Sequence, residues 1–333
     1  MKEAMFYNKL EGDKVKCNLC NHQCVIYTGK RGICHVRENR GGILYSLVYG
    51  KVVANSIDPV EKKPLFHFYP GSAAYSIATA GCNFRCLHCQ NWNISQVENK
   101  EIFGKEIPPE KIVDDAINSG CKSIAYTYTE PTIFYEYAYD IAKLAHKKKL
   151  KNIFVTNGYI SKDALEEFSP YLDGANIDLK GMSESFYKHV CGAKLQPVLD
   201  NIKLHYDLGI WVEVTTLIVP GYNDGSDELK KIAEFIRNID TNIPWHVTAF
   251  RPTYKLTDAP STPVETLRKA VEIGKKAGLK YVYQGNIGGG ENTYCPKCGK
   301  LLIERNIFGT TENNIKNDNC SFCGEHIEGR WTI

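Results

Sequence analysis

Cysteines in tight groups are the feature that most constrains how this chain can fold. The sequence has 13 cysteines among 333 residues, and all but two of them lie in three short segments. Disulfide scaffolds are normally short secreted chains, whereas grouped thiols in a long chain indicate metal or iron–sulfur ligation. Residues 1–16 contain no apolar run of the kind that a signal peptide needs. We therefore expect a cytoplasmic metalloprotein.

Charge and hydropathy exclude two further classes of protein. The 41 basic residues nearly balance the 38 acidic ones, which leaves a net charge of +3. This balance gives no electrostatic signal for binding nucleic acid or an anionic membrane. No apolar run reaches the roughly 18 residues of a membrane-spanning helix. The length is sufficient for one large domain with small additional modules.

The first cysteine group lies near the N-terminus. Its spacing is close enough for four sulfurs to share one tetrahedral site, and glycines punctuate the longest gap, where a turn is required. The sequence leaves open whether such a site holds zinc or a second iron–sulfur cluster. The candidate ligands are Cys17, Cys20, Cys24 and Cys34.

Short apolar strands alternate with amphipathic helices through the middle of the chain. This alternation predicts a parallel sheet, either doubly wound or closed toward a (β/α) barrel. The strands are expected at 75–80, 123–127, 152–156, 175–179, 212–219, 246–250 and 281–284.

Composition divides the chain into four predicted segments. Residues 1–50 form an N-terminal cysteine module, and 73–290 form the barrel. Residues 51–72 are expected to be an extended linker, because Pro59, Pro64 and Pro70 break any helix there. Residues 291–333 form a small C-terminal metal module.

The C-terminal cysteine group consists of two CxxCG motifs. Four thiolates close the coordination shell of a metal ion, and a module of this size needs such a ligand to fold. The pattern is typical of rubredoxins and zinc ribbons, and it favours structural zinc, with an iron–sulfur cluster as the alternative. The candidate ligands are Cys295, Cys298, Cys320 and Cys323.

The third group, Cys82, Cys86 and Cys89, directly follows the first strand of the predicted barrel. In such barrels the residues just beyond a strand's carboxyl end line the active site. Three thiolates fill three corners of a [4Fe–4S] cluster and leave one iron open, which is typical of a catalytic site. The alternative is a zinc site of three thiols completed by His88.

The sequence around these cysteines resembles a known enzyme family. CxxxCxxC after the first strand is similar to the signature of the radical S-adenosylmethionine (SAM) superfamily. GCxxxCxxCxN, from Gly81 to Asn91, resembles the glycyl-radical-enzyme activating branch, which includes pyruvate formate-lyase activating enzyme. Together with CNLCNHQC, EKKPLFHFYPGS, YTEPTIFYEY, TNGYI and NIDLKG, it resembles the AmmeMemoRadiSam system radical SAM enzymes over nearly the full length.

The resemblance implies a partial (β/α)6 barrel, one [4Fe–4S] cluster and SAM as cosubstrate. It also implies that Glu130, Asn157, Asp178 and Lys180 contact SAM. The alternatives are that Glu130 caps the following helix and that Asp178 and Lys180 form a structural ion pair. The motif departs from the family at Tyr128-Thr129, where the family has two glycines.

The same resemblance implies a radical SAM oxidoreductase. Its 5′-deoxyadenosyl radical would abstract a hydrogen atom from a protein partner, with a reductant such as flavodoxin or ferredoxin and a link to the other AmmeMemoRadiSam system proteins. The alternative is radical modification of a small molecule or of RNA, with the C-terminal ribbon binding nucleic acid. Cys121 and Cys191 are expected to be small buried apolar residues. Arg251 and Tyr254 either line the substrate opening or serve only in packing.

Overall fold

The N-terminal segment consists of short antiparallel strands. The computed structural model describes residues 1–98, 101–306 and 309–332. The strands in this segment are β1 (Lys2–Glu3), β2 (Tyr7–Lys9), β3 (Val15–Cys17), β4 (Val25–Ile26), β5 (Arg37–Arg40) and β6 (Ile43–Ser46). They pair in the orders β1-β6-β5 and β2-β3-β4.

The main sheet has the topology of a partial (β/α) barrel. Its strands are β7 (Lys51–Pro59), β8 (Ala73–Thr79), β9 (Lys105–Glu106), β10 (Ser123–Tyr126), β11 (Lys151–Thr156), β12 (Gly174–Asp178), β13 (Trp211–Ile218), β14 (Trp245–Ala249) and β15 (Val282–Gly285). The strand order is β15-β14-β13-β12-β11-β10-β8-β7-β9. From β8 through β15 each pair along this order is parallel. The predicted α/β class is confirmed, and β15 extends the parallel set beyond six strands.

Helices follow the parallel strands and cover the sheet. They are α1 (Trp92–Ser95), α2 (Pro109–Asn118), α3 (Tyr135–Lys147), α4 (Lys162–Phe168), α5 (Glu184–Phe186), α6 (Gln196–Asp207), α7 (Ser226–Ile239) and α8 (Val264–Ala277). In α7 the residues Leu229, Ile232, Ala233 and Ile236 are fully buried, because their spacing places them on one helix face. Among the helices in the described ranges, none has the length and apolar character that crossing a membrane requires.

The structure corrects the expectation of a linker at 51–72. Residues 51–59 are β7, which pairs antiparallel with β8 from Val52 opposite Thr79 to Pro59 opposite Ala73. The prolines do not exclude a strand here, since Pro59 is its last residue and Pro64 and Pro70 follow it. Residues 65–69 are buried. This segment is therefore part of the packed barrel, while the boundaries of the other segments stay predictions.

The C-terminal module packs near the amino ends of the parallel strands. Its strands are β16 (Thr293–Tyr294), β17 (Leu301–Asn306), β18 (Gly309–Asn313), β19 (Ile315–Lys316) and β20 (Asn319–Cys320). Nη2 of Arg305 donates to the carbonyl of Phe66 at 2.6 Å. The backbone of Arg330 bonds to His67 at 2.7 Å and to Tyr69 at 2.6 Å. These partners precede β8, so the module lies away from the strands' carboxyl ends.

The N-terminal cysteine segment packs at the opposite end of the barrel. The amide of Asn21 donates to the carbonyl of Tyr159 at 3.0 Å, and the amide of Ser161 donates to Leu19 at 2.9 Å. Tyr159 and Ser161 follow the carboxyl end of β11. Consequently the first cysteine group lies at the end of the barrel where active sites form.

Candidate active site

A cavity of about 590 Å³ opens at the carboxyl ends of the parallel strands. This volume is in the range of sites that bind a cofactor-sized ligand. The side chains that the sequence predicts for cluster and SAM binding all line it: Cys82, Cys86, Cys89, Glu130, Asn157, Asp178 and Lys180.

The loop of three cysteines begins at a glycine that the backbone requires. Gly81 has φ +102°, and a Cβ there would lie 2.6 Å from a methyl group of Val36 and 3.1 Å from the carbonyl oxygen of Cys34. Further along the loop, the amide of Phe84 donates to Sγ of Cys82 at 3.3 Å. The chain therefore turns sharply after β8 and passes closely over the N-terminal segment.

The three thiols fit a cluster better than a single ion. Their three Sγ atoms do not all lie within 4.8 Å of one another. His88 does not join them in such a set, and burial lowers its pKa to about 3. The three thiols of the loop match the donor set of a [4Fe–4S] cluster with one open iron.

A thiol that the sequence could not assign contacts this loop. Cys191 is buried, as expected, but it lies beside Cys86, and the neighbouring Cys191 thiol lowers the pKa of Cys86. The loop backbone is fixed by the same segment, because the amide of Arg85 donates to the carbonyl of Cys191 at 2.8 Å. A contact across more than a hundred residues leaves no signal in one sequence.

Glu130 is fully buried and caps the turn that it precedes. Its Oε1 accepts from the amide and hydroxyl of Thr132 at 3.1 and 2.6 Å and from the hydroxyl of Thr156 at 2.8 Å. Its Oε2 accepts from the amide of Asn157 at 2.8 Å. Burial raises the pKa of Glu130, although these hydrogen bonds oppose the shift. The residue combines the capping role with a place on the cavity wall.

Asp178 and Lys180 form an ion pair on the cavity wall. Nζ of Lys180 donates to Oδ2 of Asp178 at 2.8 Å. Burial opposes the charged form of Lys180, but the neighbouring Asp178 carboxylate and the Cys86 thiol raise its pKa. The two residues thus form an ion pair and are also accessible to a ligand in the cavity.

Asn157 connects the cavity to the cysteine loop. Its Nδ2 donates to Oδ1 of Asn83 at 2.7 Å and lies 3.9 Å from Sγ of Cys82. Burial raises the pKa of Cys82, and the nearby Glu130 carboxylate raises it further. The Cys82 thiol is therefore neutral until a metal supplies positive charge.

Tyr128 adopts a left-handed backbone conformation that favours glycine. Its φ is +62°, a conformation that costs a residue with a Cβ about 1 kcal/mol or more. The side chain is anchored, since its hydroxyl donates to Asp58 and its ring lies 4.5 Å from Nζ of Lys63. Lys63 in turn donates to Asp58 at 2.7 Å. Lys63 and Tyr128 line the cavity, and sequence reasoning missed this cluster because it placed Lys63 in a linker.

Arg251 and Tyr254, the two residues considered for the substrate opening, are not among the residues that line this cavity. The ring of Tyr254 stacks on Trp92, with centroids 5.3 Å apart. Arg251 lines a smaller pocket of about 310 Å³ together with Gln90 and Asn286.

The N-terminal thiols line one shared cavity. Cys17, Cys20, Cys24 and Cys34 all contribute to its wall. No three of these sulfurs lie within 4.8 Å of one another, so the tight tetrahedral arrangement expected for one ion is not what the structure shows. Burial raises the pKa of the Cys34 thiol to about 12.

The C-terminal thiols have the spacing of a single-ion site. All four sulfurs lie within 4.8 Å of one another. Cys295 and Cys323 are 3.6 Å apart, and Cys298 and Cys320 are 3.8 Å apart. Burial opposes ionisation of Cys320, yet backbone N–H groups at Phe322 and Cys323 lower its pKa to about 7. Four such thiols can hold one metal ion.

Comparison with known proteins places the chain in a family. The pattern of the radical SAM superfamily matches residues 76–236. The protein MJ0808 of Methanocaldococcus jannaschii is 52% identical over 333 residues, with 98% of this chain and 99% of that protein covered. Pyruvate formate-lyase 1-activating enzyme of Escherichia coli is 22% identical, over 61% of this chain and 89% of the enzyme.

A solved structure supports the fold. Streptococcus suis SuiB bound to S-adenosylmethionine superimposes with a TM-score of 0.52 at 14% identity. The match covers 68% of this chain and 53% of SuiB, so the chain spans about half of that protein. The chain belongs to the radical SAM superfamily, whose members use a [4Fe–4S] cluster and SAM, and it is related to pyruvate formate-lyase activating enzymes.

Proposed function

We propose that this protein reductively cleaves SAM and uses the resulting 5′-deoxyadenosyl radical to abstract a hydrogen atom from a protein partner. Cys82, Cys86 and Cys89 would hold a [4Fe–4S] cluster, which supplies the electron and the open iron for SAM when bound. The observation that carries the proposal is that these three thiols share one cavity with Glu130 and the Asp178–Lys180 pair.

The side chains around the cavity have distinct tasks toward SAM. Oε2 of Glu130 accepts one backbone hydrogen bond in the described structure, which leaves it acceptor capacity for the ammonium group of SAM. Nζ of Lys180 has donors beyond the one that Asp178 accepts, and these suit a carboxylate. Asn157 fixes the cysteine loop through Asn83. Together they would orient the sulfonium and exclude water from it.

A protein partner is the substrate class that the relatives favour. The Escherichia coli relative is named as an activating enzyme of pyruvate formate-lyase, and the GCxxxCxxCxN motif of this chain resembles that branch. We infer an oxidoreductase of the activating type, working with flavodoxin or ferredoxin as reductant. The motifs shared with the AmmeMemoRadiSam system enzymes make the other proteins of that system the first candidates as partners.

The substrate class is tested by deuterium transfer. A deuterated extract of the source cells is divided into protein, RNA and small-molecule fractions. The reduced enzyme and SAM are incubated with each fraction in a separate reaction. We expect deuterium in 5′-deoxyadenosine with the protein fraction, and its loss after protease treatment but not after ribonuclease treatment. Label that arises only from the RNA or small-molecule fraction would show the alternative substrate class. A glycyl-radical doublet in the electron paramagnetic resonance spectrum would identify the partner's radical site.

We also propose that the C-terminal module is a structural zinc ribbon. Zinc–sulfur bonds of about 2.3 Å in a tetrahedron separate the sulfurs by about 3.8 Å, which matches the distances of 3.6 and 3.8 Å in this module. The module contacts residues 66–69 rather than the cavity mouth. Its role is therefore to stabilise the amino ends of the barrel strands and not to take part in the chemistry.

A further inference from the structure

A buried lysine on the cavity wall has no task toward SAM. Lys63 is 1% exposed, and its Nζ donates to Oδ2 of Asp58 at 2.7 Å. It lines the same cavity as the cysteine loop and the Asp178–Lys180 pair. We infer that Lys63 binds a carboxylate of the substrate and thereby holds the substrate segment beside SAM. The inference rests on the proposed function, and it adds the chemical group by which the protein partner is recognised.

Lys63 lies on the side of the barrel that the sheet leaves open. In the described ranges β15 and β9 are the two edges of the main sheet, and β7 continues it beyond β8. Lys63 follows β7, and Asn286 follows β15. Both residues line the cavity. The cavity therefore reaches from one side of the opening to the other, so a segment of a partner protein can enter it there.

The lysines around Asp58 have one positive charge in excess. Oδ1 of Asp58 accepts from Nζ of Lys62 at 2.7 Å, and Oδ2 accepts from Nζ of Lys63. Two ammonium groups thus share one carboxylate. The side chain of Lys62 is 61% exposed, whereas that of Lys63 is 2% exposed. Because water compensates Lys62, the excess charge that a ligand can neutralise belongs to Lys63.

The ammonium group of Lys63 retains donors for a ligand. It has three N–H donors, of which the Asp58 carboxylate accepts one. The ring of Tyr128 lies 4.5 Å from Nζ on the same wall. Burial lowers the pKa of Lys63, and Asp58 opposes this shift. A second carboxylate would stabilise the charged form further, whereas a cation or an apolar group would not.

The other buried charges on this wall are already assigned. Glu130 suits the ammonium group of SAM, and Lys180 suits its carboxylate. Asp178 compensates Lys180 at 2.8 Å. Among the described residues that line the cavity, Lys63 is therefore the buried cation that remains for the substrate.

Tyr128 connects the Lys63 subsite to the cysteine motif. Its hydroxyl donates to Asp58, and its carbonyl accepts from Nδ2 of Asn91 at 2.7 Å. Asn91 is the last residue of the GCxxxCxxCxN motif, two positions after Cys89. The lysine is thus held at a fixed position relative to the cluster-binding loop. Such a fixed position is needed to place one substrate hydrogen against the 5′ carbon of the radical.

Two capped peptides test the recognition directly. N-acetyl-glycyl-glutamyl-glycinamide and N-acetyl-glycyl-glutaminyl-glycinamide have the same shape, and only the first carries a carboxylate. Their binding to the reconstituted protein with SAM is measured by saturation-transfer NMR. We expect the acidic peptide to bind at least about fivefold more tightly. Equal affinities for the two peptides would overturn the inference.

Substitutions locate the carboxylate at Lys63. Lys63→Met keeps the length of the side chain and removes its charge, so the preference for the acidic peptide should disappear. The matched control is Lys151→Met, which removes the ammonium paired with Asp173 at 2.9 Å outside the cavity. It should keep the full preference. A preference that persists in Lys63→Met would overturn the inference. If Lys63→Met does not fold, the two peptides on the parent protein decide the question.

Chemical treatment of the substrate tests the group that is bound. Amidation of the carboxylates in the deuterated protein fraction should lower deuterium transfer to 5′-deoxyadenosine by the parent at least about tenfold. Dimethylation of the lysines in that fraction keeps their charge and is the matched control. Phosphatase treatment should have no effect. Loss of transfer after phosphatase but not after amidation would show a phosphoryl ligand and overturn the assignment of a carboxylate.

Turnover separates this inference from the proposed function. In Lys63→Met, deuterium transfer from the protein fraction should fall at least about tenfold more than 5′-deoxyadenosine formation without a partner. Equal falls of the two rates would show a role in SAM binding or folding and overturn the inference. If the parent releases no 5′-deoxyadenosine, the proposed function fails, and the peptide comparison still reports on Lys63.

Discussion

Nε2 of His22 donates a 2.8 Å hydrogen bond to the backbone carbonyl of Asn83. His22 lies between two cysteines of the N-terminal group, and Asn83 lies between two cysteines of the catalytic loop. One bond therefore links two thiol sets that are separated by about 60 residues in the chain. Both sets lie at the carboxyl ends of the barrel strands, where a parallel barrel binds its ligands.

The close approach at Gly81 gives a stability prediction. Gly81→Ala should lower the free energy of unfolding by about 3 kcal/mol, because its Cβ would meet Val36 at 2.6 Å in addition to the cost of φ +102°. Denaturant unfolding measures the change. The matched control is Gly278→Ala, which has the same φ of +102° but no atom closer than 3.7 Å. It should lose only about 1 kcal/mol, and equal losses would show that the contact with the N-terminal segment carries no energy.

The ion pair on the cavity wall gives a binding prediction. Asp178→Asn should weaken SAM binding by about tenfold or more, since Lys180 loses the carboxylate 2.8 Å away that holds its ammonium in place. The measurement is SAM binding to the reconstituted protein at unchanged iron content. Asp173→Asn breaks the ion pair of Asp173 with Lys151 at 2.9 Å outside this cavity, and it should leave SAM affinity unchanged. Equal effects of the two changes would contradict a role for Asp178 in the site.

Buried histidines predict that acid destabilises the protein. Burial lowers the pKa of His67 and of His205 to about 4 from an ordinary value of 6.5. The unfolded chain therefore binds more protons between these values, and stability is complete above about pH 6.5 and falls as the pH approaches about 4. Each histidine contributes a loss of up to about 3 kcal/mol. The denaturant midpoint should fall as the pH is lowered from neutral, and it should fall less steeply in His205→Gln. A midpoint that rises on acidification would contradict the lowered pKa values of these histidines.

The ribbon predicts that one metal can be lost independently of the others. Cys298→Ser should remove about one zinc per chain and lower the unfolding temperature, because three thiolates leave the coordination shell incomplete. The iron content should not change. Metal analysis of Cys298→Ser measures the effect. The matched control is Cys121→Ser, which retains every grouped thiol. Loss of iron instead of zinc would identify the ribbon as an iron–sulfur site.

Local patterns made much of the barrel predictable. The predicted strands that correspond to β8 and β10–β15 are short apolar runs bounded by turn residues. The apolar residues of α7 recur at helical spacing. The cysteine loop could be placed for the same reason, since it directly follows β8. These features depend on neighbouring residues, which one sequence contains.

Long-range contacts were not predictable. β7 forms because β8 lies beside it, although Pro64 and Pro70 suggest an irregular segment. Cys191 reaches Cys86 only because the turn after α5 folds over the loop. The spacing of the N-terminal thiols likewise depends on their packing against the residues after β11. Nothing in the sequence near these residues specifies such partners.

The most direct measurement is the formation of 5′-deoxyadenosine by the reconstituted protein. With SAM and dithionite under anaerobic conditions, we expect the parent to form methionine and 5′-deoxyadenosine. We expect Cys121→Ala to form the same amount of each product as the parent. In Cys82→Ala the rate of 5′-deoxyadenosine formation should fall by at least about a hundredfold, because the cluster loses one of its three ligands. Release of 5′-deoxyadenosine by Cys82→Ala at the parent rate would contradict the assignment of SAM cleavage to this site.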